Sequence, residues 1–213
     1  MSDSEAPTHL DAKAIDREKI VQYLKGRREA TVNDIIDKSG ANVIRVYSIL
    51  FELQLENKLM VVEEEKFGSP RRVALVERVR PMEEFSDEFF DWMIEQAEQN
   101  PRLRWNYNLH ATLQAPAQRL LYALMPGTRF PIHRHRDTTE TYVLLRGKFD
   151  IVEYDEAGRE MRRRQLSGQG LSGGQIAEGR YHTLEVAEPT IILLVKDGPY
   201  EPFAEQDILH HEG

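Results

Sequence analysis

A chain of 213 residues, 30% charged and 40% hydrophobic, has room for one large domain or two small ones and for a sizeable core in at least one. No run approaches the roughly eighteen apolar residues of a membrane helix, the N-terminus is acidic and polar rather than signal-like, and the lack of cysteine excludes disulfides and thiolate ligands, so any metal must be held by nitrogen and oxygen. The net charge of −8 is uneven, with 14 basic and 14 acidic residues in positions 1–80 against 14 and 22 in positions 81–213, so no part is basic enough to announce nucleic acid by charge; a cytoplasmic protein without membrane contact is expected.

Residues 1–13 carry Ser, Asp, Pro and Thr without apolar periodicity and read as a disordered N-terminus. From Ala14 the pattern is helical, with Ile15, Ile20, Val21 and Leu24 on one face and Gly26 as the stop. Thr31 caps a second helix, with Asp34 three residues on, and Gly40 closes it. Asn42 caps a third that is apolar at Val43, Val46, Leu50 and Leu53 and runs to about Lys58. Two strand-like runs follow, Leu59 to Glu63 and Arg72 to Val76, joined by a Phe67-Gly68-Ser69-Pro70 turn. Three short helices and a hairpin over residues 14–79 resemble a winged helix-turn-helix, which implies DNA as a partner, with the third helix in the major groove. Asn42, Arg45 and Ser48 suit that role, as do Lys66, Arg71 and Arg72 in the wing. Glu52, Glu56 and the run Glu63, Glu64, Glu65 oppose it, leaving a helical module for dimerisation or protein contact as the other reading.

Arg80-Pro81 reads as a domain boundary, since the residue before proline is pushed out of the helical region. The second domain, residues 82–213, opens with a leading helix capped by Ser86, its expected buried face formed by Phe85, Phe89, Phe90, Met93, Ile94 and Ala97. In the run from Arg102 to His110 every even position is polar and every odd one apolar, the period of a half-buried strand. The even face meets water, or it lines the mouth of a barrel where Arg and Asn side chains hold an oxygen-rich or anionic ligand. The pattern leaves both open.

The stretch from Gly127 to Gly147 carries the chemistry. His133 and His135, one residue apart, leave the same face of an extended strand, and Glu140 returns beside them after a polar turn. Two imidazoles and a carboxylate suit a divalent transition metal that keeps open positions for water or substrate. Further strands are expected at Gln118 to Met125, Thr141 to Leu145, Phe149 to Tyr154, Arg162 to Leu166, Gly174 to Ala177 and Ile191 to Val195. Arg162, Arg163 and Arg164 read as a solvated edge strand and His210 and His211 as tail residues.

Gly127, five residues, His133-x-His135, four residues, Glu140, six residues, Gly147 resembles the first signature motif of the cupin superfamily, and Gly179-Arg-Tyr-His182 is similar to the core of the second, with Ala177 where that motif has proline. The resemblance implies His182 as a fourth metal ligand. The linked runs NPRLRWNYNLH, AQRLLYALMPGTRFPIHRHRDTTETYVLLRG, YHTLEV and KDGPYEP, over about residues 98–209, resemble the WbuC family of cupin-fold metalloproteins, with Ile132 and Tyr181 departing from the family's preferred proline and tryptophan. That likeness implies a cupin double-stranded β-helix, a jelly-roll barrel, for the second domain; the winged helix-turn-helix lies outside the match as an added domain, so an α+β chain of two domains is expected. By the same match Arg104, Asn106, Asn108, His110, Gln118 and Arg119 are expected in the ligand pocket.

The metal expected at His133, His135, Glu140 and His182 is Fe, Mn, Ni or Zn. His110 and Tyr142 are the candidates for proton transfer, and the WbuC resemblance implies a small oxygenated, sugar-like ligand. Three uses stay open: a metal-dependent enzyme, a ligand-sensing regulator whose cupin domain controls the winged helix, and a binding module without catalysis. A homodimer is expected.

Overall fold

The computed structural model of the chain describes residues 9–65, 69–76, 79, 84–201 and 203–209. The chain divides into two compact units, Met1–Glu65 with Pro70–Val79 and Lys66–Ser69 with Arg80–Gly213. The expected boundary residues Arg80 and Pro81, the residues Lys66, Phe67 and Gly68 of the expected wing, and His210 and His211 lie outside the described residues.

In the first unit α1 (His9–Leu24) precedes β1 (Ala30–Thr31), α2 (Val32–Lys38), α3 (Val43–Leu55), β2 (Leu59–Glu64) and β3 (Pro70–Leu75), with an antiparallel sheet in the order β1-β3-β2. The helix starts are set by side-chain caps. Thr31 Oγ1 accepts the Asp34 amide and Asn42 Oδ1 accepts the Ile44 amide, each satisfying a donor the first turn leaves free. Ile20 and Leu24, Val32 and Ile35, and Val46, Ile49, Leu50 and Leu53 supply the helical side of a core closed by Leu59 and Val73.

Two boundaries differ from the sequence reading. Helix α1 begins at His9, inside the stretch read as disordered, and the ion pair of Lys13 with Glu52 of α3 fixes its early turns. Helix α3 stops at Leu55 rather than near Lys58, because Asn57 turns left-handed at φ 60°.

The second unit opens with α4 (Asp87–Gln99) and continues through β4 (Arg104–Asn108), β5 (Ala117–Leu124), β6 (Ile132–His133), β7 (Glu140–Arg146), β8 (Lys148–Tyr154), β9 (Glu160–Ser167), β10 (Gly173–Ile176), β11 (Tyr181–Val186), β12 (Thr190–Asp197) and β13 (Ile208–Leu209). Two five-stranded antiparallel sheets result, ordered β10-β7-β12-β5-β4 and β13-β6-β11-β8-β9. From β5 to β12 the chain moves between the sheets as first, second, first, second, second, first, second, first, which is the connectivity of a jelly roll. Leu124, Tyr142, Ile176, Ile192 and Leu194 from the first sheet meet Phe149, Ile151, Leu166 and Leu184 from the second in one core. Gly147, at φ 88°, makes the β7–β8 turn, and a Cβ there would lie 2.4 Å from the Pro189 carbonyl oxygen.

The alternation in β4 is resolved by α4. Trp105 and Tyr107 bury against it, with Trp92 edge-on to Trp105 at 5.1 Å and Phe89 edge-on to Tyr107 at 5.2 Å between ring centroids. Arg104 and Asn106 pair in register with Leu124 and Tyr122, so the polar positions share the face of the sheet that carries the core. On α4 itself the buried set is Phe89, Phe90, Trp92, Met93 and Ala97; Phe85 precedes the helix and is exposed, and Trp92 takes the place expected for it. β9 is the edge strand expected at Arg162 to Arg164. Arg163 is held there by Asp150, Glu160 and Glu185, and Arg164 by Glu153.

Candidate metal centre

His133 on β6 and His182 on β11 are register partners, so adjacent strands of the second sheet set the two imidazoles side by side, 4.4 Å between ring centroids. Glu140 opens β7 in the opposite sheet and shares the inner face with Tyr142 two residues on. Its carboxylate spans the site: Oε1 lies 2.9 Å from His135 Nε2 and Oε2 lies 3.0 Å from His182 Nε2. Ligand atoms of His133, Glu140 and His182 all fall within 4.8 Å of one another, and all three residues are buried. His135 joins the group through Glu140, its ring 5.3 Å from that of His133.

The ring tautomers are set from outside the cluster. His133 Nδ1 stands 3.0 Å from the Pro131 carbonyl oxygen and His182 Nδ1 stands 3.0 Å from that of Arg180, so each Nδ1–H donates outward and each Nε2 lone pair turns inward. A lone pair 3.0 Å from a carboxylate oxygen needs a cation between them, either a proton or a metal ion. Two ligands at about 2.1 Å from one ion and at right angles to each other stand about 3.0 Å apart, so the His135–Glu140 and His182–Glu140 separations fit a shared ion. Three imidazoles and a carboxylate fit Fe(II), Mn(II), Ni(II) or Zn(II).

Electrostatics prepare the ligands in their metal-binding forms. Burial, reinforced by His182, lowers the His133 pKa to about 3, so the ring is neutral near neutral pH. Burial alone would raise Glu140, yet the imidazoles of His135 and His182 against its oxygens hold its carboxyl well below the ordinary value. Tyr142 donates its hydroxyl to Glu140 Oε2 at 2.6 Å, and burial together with the carboxylate pushes the phenol well above its usual range. It is therefore a fixed donor that orients Glu140. Phe203, from the segment before β13, lies against both His133 and His135, with centroids 4.3 and 5.3 Å away. Asp207 ties that segment down by accepting from Arg134 at 3.1 Å and Arg136 at 2.6 Å, and the Tyr181 hydroxyl donates to the Gln206 carbonyl at 3.3 Å.

The other candidates divide. Gln118 is buried on the inner side of β5, and its amide donates to the Leu113 and Ala115 carbonyls. Asn106 donates to Asn108 on the same polar face of β4. Arg104 lies over the Phe130 ring and donates to the Arg129 carbonyl. Arg119 follows Gln118 on the strand and so points to the opposite side, where it is exposed and donates to the Leu109 carbonyl. His110 is buried with Nδ1 2.9 Å from the Arg119 carbonyl oxygen and 3.2 Å from its amide nitrogen, so that end of the ring is engaged by backbone.

Two residues near the cluster lie outside the candidate set read from the sequence. One is Phe203. The other is Lys196 on β12, buried at 7% exposure and in register with Glu140. Its strand, expected as a buried run ending at Val195, continues two residues further to Asp197, and Lys196 opens the KDGPYEP run without standing out there.

Fold and site together define a jelly-roll protein with a buried His/Glu cluster suited to a divalent metal. A family profile described as a domain of unknown function, DUF6016, matches residues 85–166. No match is found among curated proteins. Among solved structures, the chain is similar to a cupin 2 domain-containing protein from Halorhodospira halophila, at 21% identity over 46% of this chain and 68% of that one, with a TM-score of 0.38. It is similar to the oxalate decarboxylase formate complex of Lactobacillus farciminis, at 20% identity over 46% of this chain and 29% of that one, with a TM-score of 0.37. It is also similar to the cupin domain of an XRE family transcriptional regulator from Enterobacter cloacae, at 15% identity over 46% of this chain and 98% of that one, with a TM-score of 0.36. Among the described residues no helix is long and apolar enough to cross a membrane.

Proposed function

We propose that the second unit is a cupin of the WbuC type, holding one divalent transition metal through His133, His135, Glu140 and His182 and binding a small oxygenated ligand at that ion. The observation that carries this reading is the Glu140 carboxylate shared between His135 and His182 at 2.9 and 3.0 Å, with a third imidazole alongside. Jelly-roll connectivity supports it, as do the two motifs at cupin spacing.

A bound divalent ion polarises a ligand oxygen and lowers the pKa of attached water. Around it, the chain's own residues supply orientation and exclusion of solvent. Tyr142 holds Glu140 in place, the Pro131 and Arg180 carbonyls fix two imidazoles, and Phe203 shields His133 and His135. On the polar inner face of β4, Arg104, Asn106 and Asn108 offer donors for a ligand rich in oxygen, with Gln118 inward on the next strand. In an enzymatic version of this reading His110 carries the proton on Nε2, the ring nitrogen opposite the one held by the Arg119 backbone.

The alternative is a ligand-sensing regulator whose first unit binds DNA as a winged helix, in a homodimer. The element order of that unit and its β1-β3-β2 sheet favour a winged helix. The charges on its reading surface do not favour DNA. Arg45 is paired with the buried Asp16, Arg71 with Glu63, and Arg72 with Glu29, while the outward face of α3 presents Ile44 at 86% exposure beside Tyr47. Contact with protein suits such a face better than contact with phosphate.

Elemental analysis of the full-length chain tests the metal reading, with the His133→Ala, His135→Ala double variant in parallel. Stoichiometric metal in the unaltered chain and little in the variant is expected; equal metal content in both would remove the assignment.

A further inference from the structure

Four strands of the first sheet place Gln118, Lys196, Glu140 and Ile176 in one row. Lys196 is the register partner of Gln118 on one side and Glu140 on the other, and Glu140 is the partner of Ile176. All four are buried. The inner direction is fixed by Ile176 and by Leu194 and Ile192, which precede Lys196 at the same parity on β12 and lie in the core between the sheets. The lysine therefore projects inward, next to the carboxylate at the heart of the metal cluster. Glu140 and Glu201 act on it only at a distance: among the described residues no ion pair within 4.0 Å or hydrogen bond reaches its ammonium group.

A buried ammonium without a close counter-charge is costly unless something compensates it. Glu140 turns both of its oxygens to His135, His182 and Tyr142, and neither comes within 4.0 Å of the ammonium. With a divalent ion in the cluster, one carboxylate among neutral imidazoles leaves the centre net positive, and Lys196 adds a further charge of the same sign. Such a place favours an anion and disfavours a neutral polyol.

We propose that Lys196 is the anion-anchoring residue of this site, and that the ligand is a small hydroxy or oxo acid whose carboxylate is received by the Lys196 ammonium while its second oxygen faces the metal ligands. The proposal rests on the metal-binding reading above and narrows its ligand from oxygenated molecules in general to carboxylates. Lys196 is a binding residue here and takes part in no bond-making step.

The test uses the full-length zinc-loaded chain, titrated calorimetrically with glycolate and with glycolamide, its uncharged isostere. The same titrations are run on Lys196→Met and Lys196→Arg, with zinc measured in every sample and on each protein after chelation. The unaltered chain should prefer glycolate. Lys196→Met should keep its zinc and its glycolamide binding while losing glycolate affinity by about tenfold to a hundredfold, the range for a hydrogen bond to a charged group. Lys196→Arg should retain the preference for glycolate. Unchanged glycolate binding in Lys196→Met would overturn the proposal, and so would parallel loss of both ligands or loss of zinc. An unaltered chain that takes up no zinc counts against the metal reading alone, because the glycolate-to-glycolamide ratio in the chelated proteins still decides the role of Lys196.

Discussion

His182 Nε2 stands 3.0 Å from Glu140 Oε2, although 42 positions separate them in the chain and they belong to opposite sheets. The jelly roll makes this meeting possible. Its connectivity returns β11 beside β6, so that His182 lands next to His133, and its two inner faces bring β7 across to both.

The Tyr142 hydroxyl donates to the same carboxylate oxygen that faces His182. Replacing Tyr142 with Phe removes only that donor. We expect the variant to fold and to bind metal about 10- to 100-fold more weakly, the cost of losing an outer partner of a metal ligand. Competition with a metal-responsive dye measures the change, and an unaltered affinity would show that Glu140 is oriented without the phenol.

The metal-free second unit should lose stability in acid. Burial, then His182, lowers His133 to about 3 against an ordinary 6.5, so between these values the unfolded chain binds a proton that the folded chain refuses. Its contribution is fully present above about pH 6.5 and declines as the pH falls towards 3. Glu140, lowered against the pull of burial by His135 and His182, works in the same direction at lower pH. Melting temperatures of the chelated protein should therefore fall from neutral pH to about pH 4, less steeply in His133→Asn. A profile of equal slope in the variant would contradict the assignment to His133.

Much of this was legible in the sequence because it is local. The first motif lies within one strand-turn-strand segment, so spacing alone groups His133, His135 and Glu140. Thr31, Asn42 and Ser86 announce their helices through a backbone donor only two or three residues away. His182 is legible only through its own motif, since no spacing rule spans the sheets. Strand register is what the sequence conceals. The place of Lys196 beside Glu140 follows only from the pairing of β12 with β7, and the opposite directions of Gln118 and Arg119 follow from parity within β5. Phe203 arrives from a segment without periodicity, and the exchange of Phe85 for Trp92 on α4 depended on where Trp105 and Tyr107 would lie.

Trp105 is nearly fully buried between α4 and its own sheet. Trp105→Ala should destabilise the second unit by about 3–5 kcal/mol, from lost transfer energy and the cavity left behind. Denaturant unfolding followed by the fluorescence of Trp92 reads this directly. A loss below about 1 kcal/mol would mean that α4 contributes little to the sheet it covers.

Phe203 shields two of the imidazoles without touching the carboxylate chemistry. Phe203→Ala should leave metal stoichiometry intact while metal passes to an added chelator about tenfold faster, because an apolar shell limits solvent access to a metal site. Exchange at the unaltered rate would assign Phe203 to packing alone.

The X-ray absorption spectrum of the zinc-loaded full-length chain probes the ligand set most directly. The account predicts a first shell of nitrogen and oxygen at about 2.0–2.2 Å, with the outer-shell scattering of three imidazoles that diminishes by one ring in His182→Ala. A shell without imidazole scattering, or one that His182→Ala leaves untouched, would contradict a single ion shared by both sheets.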